Sequence, residues 1–458
     1  MMYRLTRNTG CGNNVAQLSA NAGTSRGRVD CPMVELARDT LHTSVTDPVA
    51  ASMNFLNEIA GRFPAAISLA AGRPSDEFYD VADVERYLAA YVAHLRAGAM
   101  SEARVRQAVL QYGRTNGQLG AMISRMLEID EGISVPEESI MVTSGCQEAM
   151  IIALRGLAAG PEDVVLAPEP CYVGFTGAAR VLGVPVIPVP ETSRGLTPEA
   201  VARVAREVRG SGRRPRALYV VSNFANPSGV SLSDEARRGL LAVAADEDLL
   251  ILEDDPYGLF GADDRRRPTL KSLDTDQRVI YLGSFAKSVF PGARVGFLVA
   301  DQAVVSADGH RSVLADELST VKSMVTVNTA PIAQAVIGGV LVSSGYSLRA
   351  ANQEKISFYR RNLAALLAAL ERHFADPAIT WNTPSGGFFA VLRVPVRADE
   401  KLLELSARDY GVLWTPMSFF YTRGGGSHAI RLSCSALTTD QVEEGIRRLA
   451  TLIADARS

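Results

Sequence analysis

The chain has 458 residues, with 47 basic against 50 acidic side chains, a formal net charge of −3 and a mean hydropathy of +0.07. That length predicts two or three domains with ample core, and 47% hydrophobic residues near charge neutrality exclude a disordered chain. The same balance argues against nucleic acid or an acidic membrane surface as the main partner.

Residues 1–45 read as a flexible polar arm rich in Asn, Gly, Ser and Thr, in which Val34 to Leu41 can form a short helix. The arm has no apolar core of a signal peptide, and no apolar run approaches the roughly 18 residues of a membrane helix, so a cytoplasmic protein is expected. Over 47–62 the spacing Val49, Met53, Phe55, Leu56, Ile59 predicts an amphipathic helix with Asp47 as N-cap and Pro48 at the first helical position. From about 140 onward short β-rich runs alternate with helices. The runs are Ile140 to Thr143, Val164 to Ala167, Val184 to Val189, Ala217 to Val221, Leu249 to Leu252, Arg278 to Leu282 and Val295 to Val299. The helix-length segments between them include Gln147 to Ala158, Phe175 to Leu182, Pro198 to Arg209 and Ser233 to Glu247. Near-continuous apolar strands joined by helices predict an α/β domain with a mostly parallel sheet covered on both faces. After Thr329 longer helices (Pro331 to Ser343, Tyr346 to Phe374), a hairpin-like stretch at Gly386 to Val394 and a helix Lys401 to Tyr410 predict a smaller α+β domain. The expected division is an arm over 1–45, a helix and joining segment over 46–90, a large domain over 91–330 and a small domain over 331–458.

Five cysteines without a CxxC pair and five scattered histidines signal neither a disulfide framework nor a metal site. More informative is that only five of the 47 basic residues are lysine: Lys271, Lys287, Lys322, Lys355 and Lys401. Arginine stays protonated, whereas a buried lysine can lose its proton and act as an amine nucleophile. Ligands of open α/β sheets lie beyond the carboxyl ends of the strands. Just past those ends stand Ser144-Gly145-Cys146-Gln147, Glu169-Pro170-Cys171-Tyr172, Ser222 to Gly229, Glu253-Asp254-Asp255-Pro256-Tyr257 and Gly283-Ser284-Phe285-Ala286-Lys287. The Gly145 loop opens a helix whose free N–H groups could hold a phosphate, with Ser284 and Arg294 offering a hydroxyl and a cation to the same anion. Lys287, flanked by Phe285, Val289 and Phe290, is the one lysine just past a predicted sheet strand. Asp254, at the end of an apolar run, needs a cationic or hydrogen-bonding partner, which a protonated pyridine nitrogen would supply.

In this order and spacing the set resembles the fold type I pyridoxal-phosphate enzymes, specifically the class I/II aminotransferases of the aminoadipate and aromatic group, related to the aminotransferase half of MocR regulators. The similarity runs from about Met53 to Leu449. It is carried by Tyr219 to Gly229 with Asn226-Pro227, the Glu253 to Tyr257 run, and Gly283 to Lys287 continuing through Pro291-Gly292-Ala293-Arg294. The resemblance implies pyridoxal 5′-phosphate as cofactor and a Schiff base on Lys287, which then moves a proton between the substrate α-carbon and the cofactor C4′. It implies that Asp254 pairs with the pyridinium nitrogen, that Asn226 and Tyr257 bond the phenolic oxygen, and that Tyr172 stacks on the ring. Gly145, Cys146, Gln147, Ser284 and Arg294 would hold the phosphate. Tyr112 matches a tyrosine that reaches the phosphate of a neighbouring subunit, implying a homodimer with shared sites. Arg431 would clamp the substrate α-carboxylate, with Gly72 and Asn226 beside it.

Some positions depart from the family pattern: Cys146 for Ser or Ala, Ala286 for Ser, Ala71 for Gly, and Met417 in place of the Gly of Pro-Gly. Ala71 and Met417 flank the substrate pocket in the family. The resemblance implies transamination between an α-amino acid and a 2-oxo acid, and the two departures add weight to an alternative. The alternative is another pyridoxal-phosphate reaction of specialised metabolism, such as oxidation, elimination, replacement or decarboxylation. A ligand-sensing regulator is disfavoured, because the arm is too short and insufficiently basic for a winged-helix domain.

Overall fold

The computed structural model describes residues 34–47, 55 and 58–457. The described residues up to His42 form one unit, in which a 3₁₀ turn at Arg38–Thr40 stands where the sequence predicts a short helix. The second unit begins at Thr43. Of the helix expected over 47–62, residues 58–62 are helical; Pro48, Val49 and Met53 lie outside the described residues, and the Asp47 carboxylate accepts from Arg180 at 3.0 Å.

Seven strands build the large sheet: β1 (Ile140–Thr143), β2 (Asp163–Glu169), β3 (Val186–Pro190), β4 (Arg214–Val220), β5 (Leu250–Asp254), β6 (Val279–Ser284) and β7 (Gly296–Val299). Their spatial order is β1-β7-β6-β5-β4-β2-β3. Strand β7 is antiparallel to both neighbours and every other pair is parallel, as a mostly parallel α/β sheet requires. Parallel neighbours need long crossovers, and the helices α1 (Cys146–Leu157), α2 (Val173–Val181), α3 (Pro198–Gly210) and α4 (Asp234–Asp246) lie on the connections that follow β1, β2, β3 and β4. Local chemistry starts them: Thr197 caps α3 ahead of Pro198, and Ser233 caps α4. Because side chains alternate along a strand, Leu252 and Tyr219 join one core layer while Ile251, Leu218 and Val220 join the layer on the other face. Both faces are dry, which explains why the strands read as continuous apolar runs.

The helix α5 (Pro331–Ser343), expected to open the small domain, packs with the large sheet instead: Ala335, Ile337 and Leu341 share a core with Val142 and Phe297. It lies against the helix Val81–Ala97 so closely that a Cβ on Gly339 would collide with the Tyr87 carbonyl. An all-round apolar helix announces burial but not which core buries it. The segment expected as one helix over 346–374 breaks at Asn352 into Leu348–Ala351 and α6 (Gln353–His373). The core changes over within α6, where Ile356 and Tyr359 pack with Phe388 and Phe389 while Leu363, Leu366 and Leu370 join the small-sheet core. That sheet runs Thr380–Trp381, β8 (Phe389–Arg393), β10 (Ala429–Ser433), β9 (Thr415–Pro416), all antiparallel. Ile59 and Leu69 also sit in its core, and Ile67–Ser68 pairs in parallel with Val412–Leu413. Among the described residues no helix is long and apolar enough to cross a membrane, and no cluster of His, Cys, Asp and Glu can hold a metal ion.

One buried ion pair fixes the turn between β1 and α1. Glu148 accepts from Ser144 N–H at 2.5 Å, from the Thr326 hydroxyl at 2.5 Å and from Lys322 Nζ at 3.0 Å, with the Lys322 side chain fully buried. Removing one member leaves the other charge uncompensated in low dielectric. We expect Lys322→Met to lower unfolding free energy by about 3–5 kcal/mol, and Glu148→Gln added to it to restore most of the loss, both measured by chemical denaturation at neutral pH.

Candidate active site

The carboxyl ends of β1, β2, β4, β5 and β6 open on a cavity of about 540 Å³ whose other wall comes from residues 68–73, Phe420 and Arg431. Eleven of the residues singled out in the sequence line it. They arrive from separate parts of the chain because each follows a strand end, or, for Gly72 and Arg431, because the small sheet and the segment beside it close the opposite side.

Lys287 lies in the turn after β6, and its Nζ donates to the Gly72 carbonyl at 2.8 Å. Burial, reinforced by the nearby Arg431 cation, lowers its pKa to about 8, so about a tenth is free amine at pH 7. Asp254 ends β5 and is 3% exposed. Burial raises its pKa to about 6, against two donors that favour the carboxylate: the Tyr219 hydroxyl at 2.8 Å on Oδ2 and the Cys146 thiol at 3.5 Å on Oδ1. Tyr257 is almost wholly buried with its hydroxyl pushed well above the ordinary range by desolvation, and it shares a hydrogen bond with Asn226. Tyr172 immediately precedes α2, and burial lifts its phenol to about 12, so it stays neutral.

The turn at Gly145 has φ +80°, a conformation that favours glycine, and a Cβ there would collide with the Arg294 guanidinium. Arg294 forms no ion pair among the described residues and lies beside the N-terminus of α1, where first-turn N–H groups have no partner within the helix. A cation and a helix N-terminus meeting at a glycine turn make an anion seat. The Ser284 hydroxyl, which accepts from Ala286 N–H at 3.2 Å, borders the same cavity. Two expected contributions are narrowed: the Gln147 side chain is spent on the Gly174 carbonyl at 2.7 Å and the Cys146 thiol on Asp254, leaving their backbone N–H groups for an anion.

Opposite stands Arg431, 6% exposed on β10. Its Nη1 donates to Asn226 Oδ1 at 2.7 Å, and its Nη2 donates to the Ala70 carbonyl at 2.6 Å and to Thr415 Oγ1 at 3.1 Å, while buried Nε has no partner among the described residues. The rings of Phe389 and Phe420 lie 4.5 and 5.0 Å from the guanidinium carbon. Burial brings its pKa down to about 10, still a full cation at neutral pH. Gly72 sits beside this group, with Phe389 where its Cβ would be. Two expected residues do not line the cavity: Gly145 lies against its Arg294, whereas Tyr112 is elsewhere and 76% exposed. Arg73 pairs with Asp76 and is largely solvated.

Sequence reasoning assigned no role to Tyr219, Thr415 or Phe420. A hydroxyl inside the otherwise apolar run Ala217 to Val221 is the one signal that could have singled out Tyr219. Arg431, Lys287, Asp254 and the Gly145–Arg294 seat together offer two anion sites, an amine and a carboxylate around one cavity.

The family model described as aminotransferase class I and II matches residues 84–449. The (S)-3,5-dihydroxyphenylglycine transaminase of Amycolatopsis orientalis is 49% identical to this chain, over 92% of it and 95% of the relative. The crystal structure of the multiple substrate aminotransferase from Thermococcus profundus matches with a TM-score of 0.78 at 27% identity, covering 92% and 98% of the two chains. That of the α-aminoadipate aminotransferase from Thermus thermophilus, complexed with N-(5′-phosphopyridoxyl)-L-leucine, matches with a TM-score of 0.73 at 27% identity, covering 91% and 99%.

Lys287 also sets a stability trend. With a folded pKa near 8 against an ordinary 10.5, the buried ammonium costs stability below about pH 8. Stability from this group therefore rises between about 8 and 10.5, where the unfolded chain holds the extra proton. In the cofactor-free protein Lys287→Met should raise Tm at pH 7, with the gain shrinking as pH climbs above 8; thermal unfolding of both proteins across pH 7 to about 10 checks the sign.

Proposed function

The chain belongs to the class I and II aminotransferases and is a pyridoxal-phosphate-dependent transaminase, and we propose that it acts on an aromatic α-amino acid of the arylglycine class with a 2-oxo acid as amino acceptor. What carries the transaminase site is the placement of the Lys287 amine and the Arg431 guanidinium on facing walls of one cavity, with the Asp254 carboxylate at its sheet end. The substrate class is supported by the relative that is 49% identical, and by the apolar wall that Phe420, Val173 and Ala71 offer a side chain.

The residues fit the cofactor, as the unpaired Arg294 at the Gly145 turn and the buried Asp254 indicate. In this reading Gly145, the N–H groups of Cys146 and Gln147, Ser284 and Arg294 hold the phosphate, Asp254 the ring nitrogen, Asn226 and Tyr257 the phenolic oxygen, and Tyr172 covers the ring. When bound, pyridoxal phosphate supplies an electron sink for the pair left on the substrate α-carbon. Lys287 would hold the cofactor through its free amine and, as a base with pKa about 8, would move the proton between the substrate α-carbon and the cofactor C4′. Arg431 binds the α-carboxylate, its plane held between Phe389 and Phe420, which orients the α-C–H toward Lys287. Tyr257 stays a neutral donor because burial holds its proton.

We further read the protein as a cytoplasmic homodimer with shared sites. Support comes from Tyr112 and Leu110, 76% and 70% exposed, near exposed Met324 and Val327: Gly113 lies against Asn328. The thiols of Cys146, Cys171 and Cys434 are free, as in a reducing compartment.

An amino-acid panel should bleach the yellow holoenzyme with arylglycines and a 2-oxo acid should restore the colour; ammonia release without an acceptor would overturn transamination. Borohydride reduction should fix the cofactor on the peptide containing Lys287, and Lys287→Ala should abolish turnover. Chains carrying Tyr112→Ala and chains carrying Lys287→Ala, each impaired alone, should regain activity on mixing if sites are shared; an absence of complementation in mixed dimers rules shared sites out.

A further inference from the structure

We propose that Tyr219 and Cys146 are positioning residues that hold Asp254 as an oriented carboxylate, one donor on each oxygen, so that it keeps the cofactor's ring nitrogen protonated. The inference rests on the reading of Asp254 as the ring-nitrogen partner.

Asp254 forms no ion pair within 4.0 Å among the described residues, and its two oxygens are met separately. The Tyr219 hydroxyl donates to Oδ2 at 2.8 Å and the Cys146 thiol to Oδ1 at 3.5 Å. Neither donor is free to turn away. The Tyr219 ring is wholly buried and stacks on Phe175, centroids 3.9 Å apart and planes within 9°, and its phenol stays protonated because burial raises its pKa. Cys146 is the first residue of α1, and its thiol is likewise held protonated by burial. A carboxylate with one lone pair committed on each oxygen is fixed in plane and keeps further lone pairs for a third donor.

The other charged and titratable groups around Asp254 do not substitute for these two. Lys287 acts on it only through space, and Arg294, against the Gly145 turn, forms no ion pair with it. Glu253, next on β5, faces the other side, where its carboxylate accepts from the Ser222 hydroxyl at 2.5 Å and from the backbone N–H groups of Leu270 and Lys271. Asp255 is turned to Asn223, and Cys171, Tyr172, Tyr257 and Tyr281 contribute no hydrogen bond to Asp254. Loss of a donor therefore raises the affinity of Asp254 for a proton, and a protonated carboxyl no longer holds a pyridinium.

The test uses holoenzyme loaded with ring-15N pyridoxal phosphate. Tyr219→Phe keeps the stacked ring and removes only the hydroxyl, so its melting temperature should stay near that of the wild type. Its ring-nitrogen resonance should move toward neutral pyridine at a given pH, the acid limb of kcat should move to higher pH, and kcat should fall by about tenfold, the usual scale for one hydrogen bond to a charge. Cys146→Ala should show the same shifts to a smaller extent, and Cys146→Ser should restore them. If wild type carries a protonated ring nitrogen and both Tyr219→Phe and Cys146→Ala leave the resonance and the pH limb in place, the proposal is wrong. An unprotonated nitrogen in wild type would overturn the assignment of Asp254 itself.

Discussion

The site depends on keeping charges of both signs buried in one cavity without letting them neutralise one another. Asp254 and Arg431 are buried and Lys287 is half-buried, yet no two of them form an ion pair. Neutral dipoles hold them instead: a phenol and a thiol at Asp254, a carbonyl at Lys287, and a carbonyl, an amide oxygen and a hydroxyl at Arg431. Two buried lysines elsewhere are closed by carboxylates instead. Lys322 meets Glu148 and Lys271 meets Asp301 at 2.7 Å. An ion closed by an opposite ion has little left for a ligand, whereas one held by dipoles still lacks a countercharge. In the proposed reading, phosphate, pyridinium and substrate carboxylate would supply those countercharges at Arg294, Asp254 and Arg431.

Much of that arrangement runs through five consecutive residues. The Leu69 carbonyl accepts from Ser433 N–H at 2.7 Å, Ala70 from Arg431, Gly72 from Lys287, and Ala71 and Arg73 from the Ser435 hydroxyl. One segment thus presents its carbonyls alternately to Ser433 or Ser435 and to the two cations of the cavity. Both working cations are therefore registered to one piece of backbone, and a shift of that segment moves them together. The segment carries Ala71, one of the positions that departs from the family pattern, so a substrate-facing difference is built into the element that spaces the cations.

The sheet was legible because its strands are buried on both faces, so seven apolar runs of the right length appear at nearly their observed bounds, and the chemistry follows directly from what stands after each strand end. Lys287, Asp254 and Asn226 stand in the segments past the strand ends and Arg431 follows from the resemblance, and all four line one cavity. What the sequence could not carry are contacts decided by packing between distant segments. Nothing local says that Tyr219 faces Asp254 across one sheet layer, or that the Cys146 thiol turns inward while its N–H faces the cavity. The helix Pro331–Ser343 reads as buried, but only its fit against Val81–Ala97 assigns it to the large sheet. The helix break at Asn352 is likewise tertiary, for the Asp130 carboxylate takes the N–H groups of Leu348 and Arg349, drawing the short helix toward the large domain before α6 begins.

The scarcity of lysine acquires a structural meaning once each of the five is placed. Lys271 and Lys322 are held by carboxylates and Lys401 is exposed, so none offers a free amine in a cavity. Lys355 is the instructive case, because burial lowers its pKa to about 8, the same value as Lys287. A depressed pKa alone therefore does not mark the nucleophile. Lys355 spends its protons on the carbonyls of Ser288 and Val289, both at 2.9 Å, and lies over the rings of Tyr79 and Phe78. Those carbonyls belong to the turn that carries Lys287. One lysine thus pins the loop from behind while the other, reaching only a single carbonyl, keeps the freedom to leave it. What separates Lys355 from the lysine proposed as reactive is the number of carbonyls each amine meets, two against one, not the field it sits in.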